Sequence, residues 1–336
     1  MTRSPSPARA AALALVILSA TATPASVQDK SSCAAAAASP FQPGYEDIGR
    51  DQSDMDVEAA IASCLAAVEA DPEDMDVRAW LARAYYTAGD YEAVVPHVQM
   101  AAKAGNAMAQ QIFGDMHVVG AGVEVDLDRS AELLTASADQ GYALGQYALA
   151  MSYVWGEGVE ENPARAVELY GAAAEQGFAP AMRELAILYR DGEGVEADPG
   201  QAIVLLEAAG EAGYPEAYAD IGWTYADGLG VPADPAAARE WFEKARAAGS
   251  ASGSIGLATL SFEEFGLDID ADEALAHARE AAEADNPEGY FMLGYFAEQG
   301  IGGEPDIKEA LDHYRRAAEM GDAQAQEAVE RLEAEL

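Results

Sequence analysis

The sequence predicts an all-α protein built as a solenoid of helix–loop–helix repeats. A stretch beginning at residue 106 recurs in register, and later copies begin at residues 142, 178, 214, 250 and 286. The spacing is 36 residues at every step, without insertion or deletion across six copies. A fixed period of this size is typical of solenoids, in which each unit buries its apolar face only against its neighbours.

The first half of each copy has the pattern of a helix that packs closely against a second one. Counting from zero, position 7 is apolar, position 8 is small, and position 11 is often tyrosine. Spacings of three and four residues place these side chains on one helix face. The small residue lets a second helix approach; it is Gly114, Ala150, Ala186, Gly222, Ala258 and Gly294.

Glycines end the first helix, and an Asp or Asn begins the second. Most copies carry glycine at positions 14 and 16, such as Gly156 and Gly158. Glycine tolerates the positive φ at which many helices end. Position 20 is Asp or Asn in every copy, and proline follows it at Pro163, Pro199 and Pro235. This order is typical of an N-cap and the first turn of a second helix.

Together these residues resemble the Sel-one-like repeat, a relative of the tetratricopeptide repeat with a longer inter-helix loop. The match lies in the Leu-Gly…Tyr face, the Gly-x-Gly-Val loops at 156–159 and 192–195, and the Asp-Pro…Ala…Tyr…Ala-Ala run. It covers residues 106–321. The resemblance implies antiparallel helix pairs in a right-handed superhelix, and a role in holding protein or peptide partners.

Residues 1–25 are predicted to be a secretory signal peptide, which implies an exported bacterial protein in the periplasm or outside the cell. Arg3 and Arg9 precede an apolar run over residues 10–18, and small residues follow it. The run is shorter than the roughly 20 residues that span a bilayer. The alternative is an uncleaved anchor.

The other flanking segments are predicted to differ from the six repeats. Residues 26–43 are rich in Ala, Ser and Pro and predict a flexible lead-in. Residues 44–105 resemble shorter tetratricopeptide units. Residues 322–336 begin a seventh copy but carry glutamates on its pairing face, which predicts a polar C-terminal capping helix.

The chain has two cysteines, Cys33 and Cys64. Because an exported protein meets an oxidising environment, we expect them to form a disulfide. The alternative is a buried free Cys64 and a disordered Cys33.

The acidic composition limits the partners. With 19 basic and 59 acidic residues, the net charge is −40. Nucleic acid is excluded, because phosphate binding needs clustered Lys and Arg, and anionic membrane surfaces are disfavoured. The charge could steer a cationic partner. Alternatively, the charged side chains only solvate the surface. The even spread of the acids along the chain favours this second interpretation.

No catalytic or metal-binding pattern stands out, so we expect a non-enzyme without cofactor or metal. None of the four histidines has a second His or Cys at metal-ligand spacing. The Gly-x-Gly loops end helices instead of following strands, so they predict no phosphate cradle.

Positions 5, 9 and 12 of the first helix point away from the second helix. In the tetratricopeptide family that the chain resembles, these positions line the inner groove. Aromatic and apolar residues there predict a contact surface, and two arginines on it could hold a carboxylate of the ligand. The alternative is that curvature buries these aromatics against neighbouring helices. The predicted groove residues are Tyr147, Met151, Arg183, Ile187, Arg190, Trp223, Phe291 and Tyr295.

The resemblance and the groove together predict an exported, monomeric scaffold that binds a protein or peptide partner. A cell-wall-associated hydrolase, or a regulator of one, is the alternative, and a structural spacer is a third hypothesis.

Overall fold

A computed structural model describes residues 25–261 and 270–335. Residues 1–24 of the predicted leader, the loop of the fifth copy at 262–269, and residue 336 lie outside the described residues. All regular structure within the described ranges is helical. The helices are α1 (Ala25–Ala37), α2 (Val57–Ala70), α3 (Met75–Ala88), α4 (Tyr91–Lys103), α5 (Ala107–Val119), α6 (Leu127–Ala138), α7 (Ala143–Trp155), α8 (Pro163–Glu175), α9 (Ala179–Asp191), α10 (Pro199–Glu211), α11 (Glu216–Asp227), α12 (Pro235–Ala247), α13 (Ala251–Thr259), α14 (Ala271–Glu283), α15 (Pro287–Gln299), α16 (Ile307–Glu319) and α17 (Ala323–Glu335).

Helices α5 to α16 form six pairs, one for each 36-residue copy. Each helix packs against the next along the chain, both within a pair and between pairs. Helices α1 to α4 add two pairs at the N-terminal end, and α17 packs against α16 at the other. The all-α solenoid that the sequence predicts is confirmed.

The two helices of a copy meet where position 8 lies under a bulky side chain from position 28. A Cβ added at Gly222 would lie 2.5 Å from the Phe242 ring, which is fully buried. At Gly294 the distance to Tyr314 would be 2.7 Å. The close approach that the small residues predict is therefore confirmed.

The glycine loops also join each copy to the one before it. Gly194, in the loop of the third copy, has φ +71° and lies against the start of α8 in the second copy. A Cβ at this position would overlap the backbone of Pro163. Gly158 lies in the same way against Leu127, the first residue of α6. The second loop glycine thus makes an inter-repeat contact, in addition to the helix-ending role that the sequence predicts for the loop.

The flexible lead-in expected over residues 26–43 is wrong. Helix α1 covers most of this segment, pairs with α2, and buries Cys33, Ala34 and Ala37. Cys33 and Cys64 form a disulfide between the two helices. The alanines that resemble low-complexity sequence are strong helix formers, and their small side chains let α1 lie close to its neighbours.

Arg83 of α3 fixes the chain that follows α1. Its guanidinium donates to the carbonyl oxygens of Ala37, Ala38 and Arg50 at 3.1, 2.9 and 2.8 Å. Further along this segment, the Phe41 ring packs edge-on against Phe178 of the third copy, with centroids 5.2 Å apart.

Candidate binding groove

The surface predicted to bind partners lies along the first helices of the repeats. Several first helices contact the next first helix along the chain, as α3 does α5, α5 does α7, and α11 does α13. The corresponding contacts between successive second helices are sparser. The first helices therefore line the inner side of the stack, where solenoids present extended surfaces to ligands.

At the N-terminal end of this surface, Tyr147 and Met151 line a cavity of about 350 Å³. Most of its lining comes from α3, α5, α7 and Phe178, the residue that precedes α9. Gln52, Leu134 of α6 and a second carboxylate, Glu157, complete it. The Tyr147 ring lies edge-on to Phe178, with centroids 5.2 Å apart. Burial raises the pKa of Tyr147 to about 12, so its hydroxyl stays protonated at neutral pH. Two of the predicted groove residues are thus neighbours in one cavity.

A carboxylate, Asp115 on α5, also lines this cavity. The side-chain amide of Gln111, one helical turn earlier, donates a hydrogen bond to it. Burial raises the pKa of Asp115 to about 7, and the hydrogen bond opposes that shift. Sequence reasoning passed over this residue because one more acid is unremarkable in so acidic a chain. The available signal was an acid at position 9, where most other copies carry an apolar or aromatic residue.

Exposed apolar side chains flank the cavity. Val119 at the end of α5 is 68 % exposed, and Trp155 at the end of α7 is 71 % exposed. Met151, one turn before Trp155 on the same helix face, is 38 % exposed. Trp155 lies at position 13, outside the positions used to select groove residues. Its signal was a tryptophan where the next two copies carry Asp191 and Asp227.

The two arginines of the predicted groove pair with acids of the chain itself. Arg183 Nε donates to Asp220 Oδ2 at 2.6 Å, and Nη2 donates to Oδ1 at 3.3 Å. Arg190 makes a similar two-pronged contact with Asp191, at 2.7 and 2.9 Å. The first pair joins the third copy to the fourth. Both guanidinium groups therefore direct donors to carboxylates inside the molecule.

Ile187 and Trp223, in the middle of the surface, are partly buried. The Trp223 ring stands edge-on to Phe242, with centroids 4.8 Å apart, and packs against two neighbouring core clusters. Neighbouring helices therefore bury much of the Trp223 side chain.

At the C-terminal end, Phe291 and Tyr295 line a second cavity, of about 400 Å³, together with residues of α17. Phe291 is partly buried, and Tyr295 is 36 % exposed. Glu298 in this cavity accepts hydrogen bonds from the Tyr314 hydroxyl and from Arg331, both at 2.9 Å. The Arg331 hydrogen bond lowers the pKa of Glu298. The predicted groove residues thus occupy three separate places along the stack.

Metal sites and membrane-spanning helices are both absent from the part of the chain that the structure describes. No group of three His, Cys, Asp or Glu side chains there is arranged to hold a metal ion. No helix in the same ranges is long and apolar enough to cross a membrane.

Paired helices stacked at a constant period, with a glycine loop in each of the five repeats whose loops lie in the described ranges, define this protein as an α-solenoid of helix–loop–helix repeats. The family model of the Sel1 repeat matches six segments of the chain, and the chain belongs to the Sel1 repeat family. The matched segments are residues 107–142, 143–178, 179–214, 215–250, 254–286 and 287–322.

Solved structures of Sel1 repeat proteins share the fold. A Sel1 repeat protein from Oxalobacter formigenes is 29 % identical with a TM-score of 0.62, and the match covers 71 % of this chain and 96 % of that one. The protein c5321, a protective antigen of uropathogenic Escherichia coli strains, is 26 % identical with a TM-score of 0.58, and the match covers 84 % of this chain and 62 % of that one. Yeast Tom70, at 14 % identity and a TM-score of 0.58, is similar in fold alone over 88 % of this chain and 61 % of its own. No curated protein matches this chain in sequence.

Proposed function

We propose that this chain is an exported scaffold that binds a protein or peptide partner along its first helices. The observation that carries the proposal is a set of three exposed apolar side chains at the N-terminal cavity, the apolar shelf. Val119 and Met151 line the cavity, and Trp155 follows Met151 by one helical turn. Exposed apolar groups that adjoin a cavity are typical of interaction sites.

The composition of the shelf suits a contact with another polypeptide. Tryptophan is enriched among the residues that contribute most to binding energy. Methionine adapts to partners of varied shape, because its side chain is unbranched and flexible. The net charge of −40 disfavours nucleic acid as the partner. We propose that the scaffold acts as a monomer and without a cofactor.

Export is supported by the predicted leader and by the disulfide between Cys33 and Cys64. Disulfides persist in oxidising compartments, which include the bacterial periplasm and the extracellular space. We therefore propose a periplasmic or secreted protein. Cell fractionation with N-terminal sequencing tests this; a cytosolic chain that retains its first residues would contradict it.

The alternative function, a cell-wall-associated hydrolase or a regulator of one, remains second, because no contact in the described residues favours it. The hydroxyl of Ser152, which lines the N-terminal cavity, donates to the carbonyl oxygen of Ala148. In this cavity it therefore offers no activated nucleophile.

Two exposed valines, one on the apolar shelf and one away from it, provide the test of the shelf and its control. The full chain serves as bait for the envelope fraction, as wild type, Val119→Ser, Trp155→Ser and Val204→Ser. Val204 is 60 % exposed on α10, a second helix, and so has the exposure of Val119 without its position. We expect Val119→Ser and Trp155→Ser to lose captured partners that wild type and Val204→Ser retain, at unchanged melting temperature. Equal capture by all four baits would contradict the proposal.

A further inference from the structure

Asp115 differs from Asp220 and Glu298, two other acids of the inner surface, in having no cation beside it. Asp220 has Arg183, and Glu298 has Arg331. No ion pair in the described ranges involves Asp115, whose hydrogen-bond partner is the neutral Gln111. A carboxylate in apolar surroundings costs free energy unless it is paired. This one faces a cavity that opens on the inner surface.

The walls around Asp115 suit a cationic group. Three aromatic residues, Tyr86 of α3, Tyr147 of α7 and Phe178, line the same cavity as Asp115. The faces of such rings attract Lys and Arg side chains, and the attraction grows when water is excluded. The volume of about 350 Å³ lies at the lower end of the range for ligand pockets.

We propose that this cavity binds a single lysine or arginine side chain of the partner polypeptide, with Asp115 as its counter-ion. This inference rests on the proposed scaffold function and names the residue class that the scaffold recognises. The cation enters between the aromatic rings, and an adjacent apolar residue of the same polypeptide contacts the apolar shelf. The net charge of −40 raises the encounter rate with such a partner. The short-range pairing with Asp115 provides the specificity.

A polypeptide fits better than a free amine because the cavity and the shelf are continuous. Met151 belongs to both: it lines the cavity and is exposed one turn before Trp155. A ligand that fills only the cavity would leave the shelf uncovered. A side chain attached to a backbone can cover both, and the affinity then includes the burial of apolar surface.

The probes are four blocked, fluorescein-labelled heptapeptides with leucines on both sides of a central lysine, arginine, acetyl-lysine or glutamate. Fluorescence anisotropy with the full mature chain measures their dissociation constants. We expect the lysine and arginine peptides to bind at least about tenfold more tightly than the acetyl-lysine peptide, since acetylation removes the charge and keeps the length. Unlabelled butylammonium ion as a competitor distinguishes a free-amine site: displacement at low concentration would contradict the polypeptide assignment.

Asp115→Asn and Asp227→Asn are matched variants, because each replaces an acid of the same inner surface by its neutral amide. Asp227 is exposed at the end of α11, three copies further along. We expect Asp115→Asn to weaken lysine-peptide binding about tenfold, and Asp227→Asn to leave it unchanged. Equal weakening would mean that only the overall charge attracts the peptide, and it would overturn the proposal. In that case, loss of capture by Trp155→Ser would still support the scaffold function, so the two proposals can fail separately.

Discussion

The protonation of Asp115 makes the stability of the folded chain depend on pH. Its pKa of about 7 in the folded chain lies above the value of about 3.9 for an unfolded aspartate. The folded state therefore binds the proton more tightly, and the stability this provides is complete below about pH 4 and lost as pH rises through 7. The cause is burial, which disfavours the charged form.

We expect Asp115→Asn to be more stable than wild type at pH 8, by up to a few kcal/mol, and to match it near pH 4. Melting temperatures of the two proteins between pH 4 and 8 measure the difference, in which the titration of the other acids cancels. A gap that stays constant over this range would show that the Asp115 proton does not contribute.

At Gly222, the addition of a single methyl group would disturb the packing of the two helices. A Cβ there would lie 2.5 Å from the buried Phe242 ring, so Gly222→Ala should cost about 1–3 kcal/mol by overpacking. Gly171, within α8, has nothing within 4 Å of its Cβ position. Gly171→Ala should instead stabilise by about 0.5–1 kcal/mol, because alanine is the better helix former. Denaturant titration of both variants tests the assigned helix face, and shifts of the same sign would contradict it.

At the scale of the elements, the inter-helix loop acts as a spacer between copies. Gly194 and Gly177 both have positive φ, +71° and +86°, but only Gly194 touches another copy. Gly177→Ala should therefore cost only the conformational term of about 1 kcal/mol, whereas Gly194→Ala should cost that and a further 1–3 kcal/mol or so.

Hydrogen exchange can locate the loss in Gly194→Ala. We expect faster exchange in α8, against which the loop packs, and in α9, which the loop follows, with little change in α15 and α16. If the two alanine variants have equal melting temperatures, the loop does not carry the inter-repeat contact.

Helix α1 is held by the disulfide between Cys33 and Cys64, which closes a loop with a sequence separation of 31. Replacing both cysteines by alanine should cost about 2–4 kcal/mol, because the unfolded chain regains the freedom that the cross-link removed. Thermal melting of the double variant, beside wild type with and without reductant, measures this loss. Reduced wild type should match the variant, and a melting temperature unaffected by both treatments would contradict the role.

For the whole molecule, net charge works against folding. A charge of −40 repels itself most strongly in the compact state, and salt screens that repulsion. We expect the melting temperature to rise from 20 to 200 mM NaCl. An Arg183→Gln variant, which lacks one inter-repeat ion pair, is the control and should gain at least as much. A melting temperature that falls with salt would mean that attractive pairs outweigh the net repulsion.

The parts of the structure that depend on one repeat were predictable, and the parts that depend on neighbouring repeats were not. The small residue at position 8 predicted the close approach of the second helix because both helices lie in the same copy. The pairing of Arg183 with Asp220 depends on how two copies stack, which the positions within one copy do not reveal. Helix α1 was missed for another reason, since its alanine-rich composition fits a flexible segment as well as a close-packed helix.

The contact between Phe41 and Phe178 affects the order of folding. Nearly all other packing in the solenoid joins neighbours in sequence, and a low contact order favours fast folding. The two phenylalanines are far apart along the chain, so we expect their contact to form only after the first two copies have stacked. The segment that carries Phe41 is synthesised early, yet we expect it to be among the last to reach its final arrangement, because its contact needs a surface that later parts of the chain build.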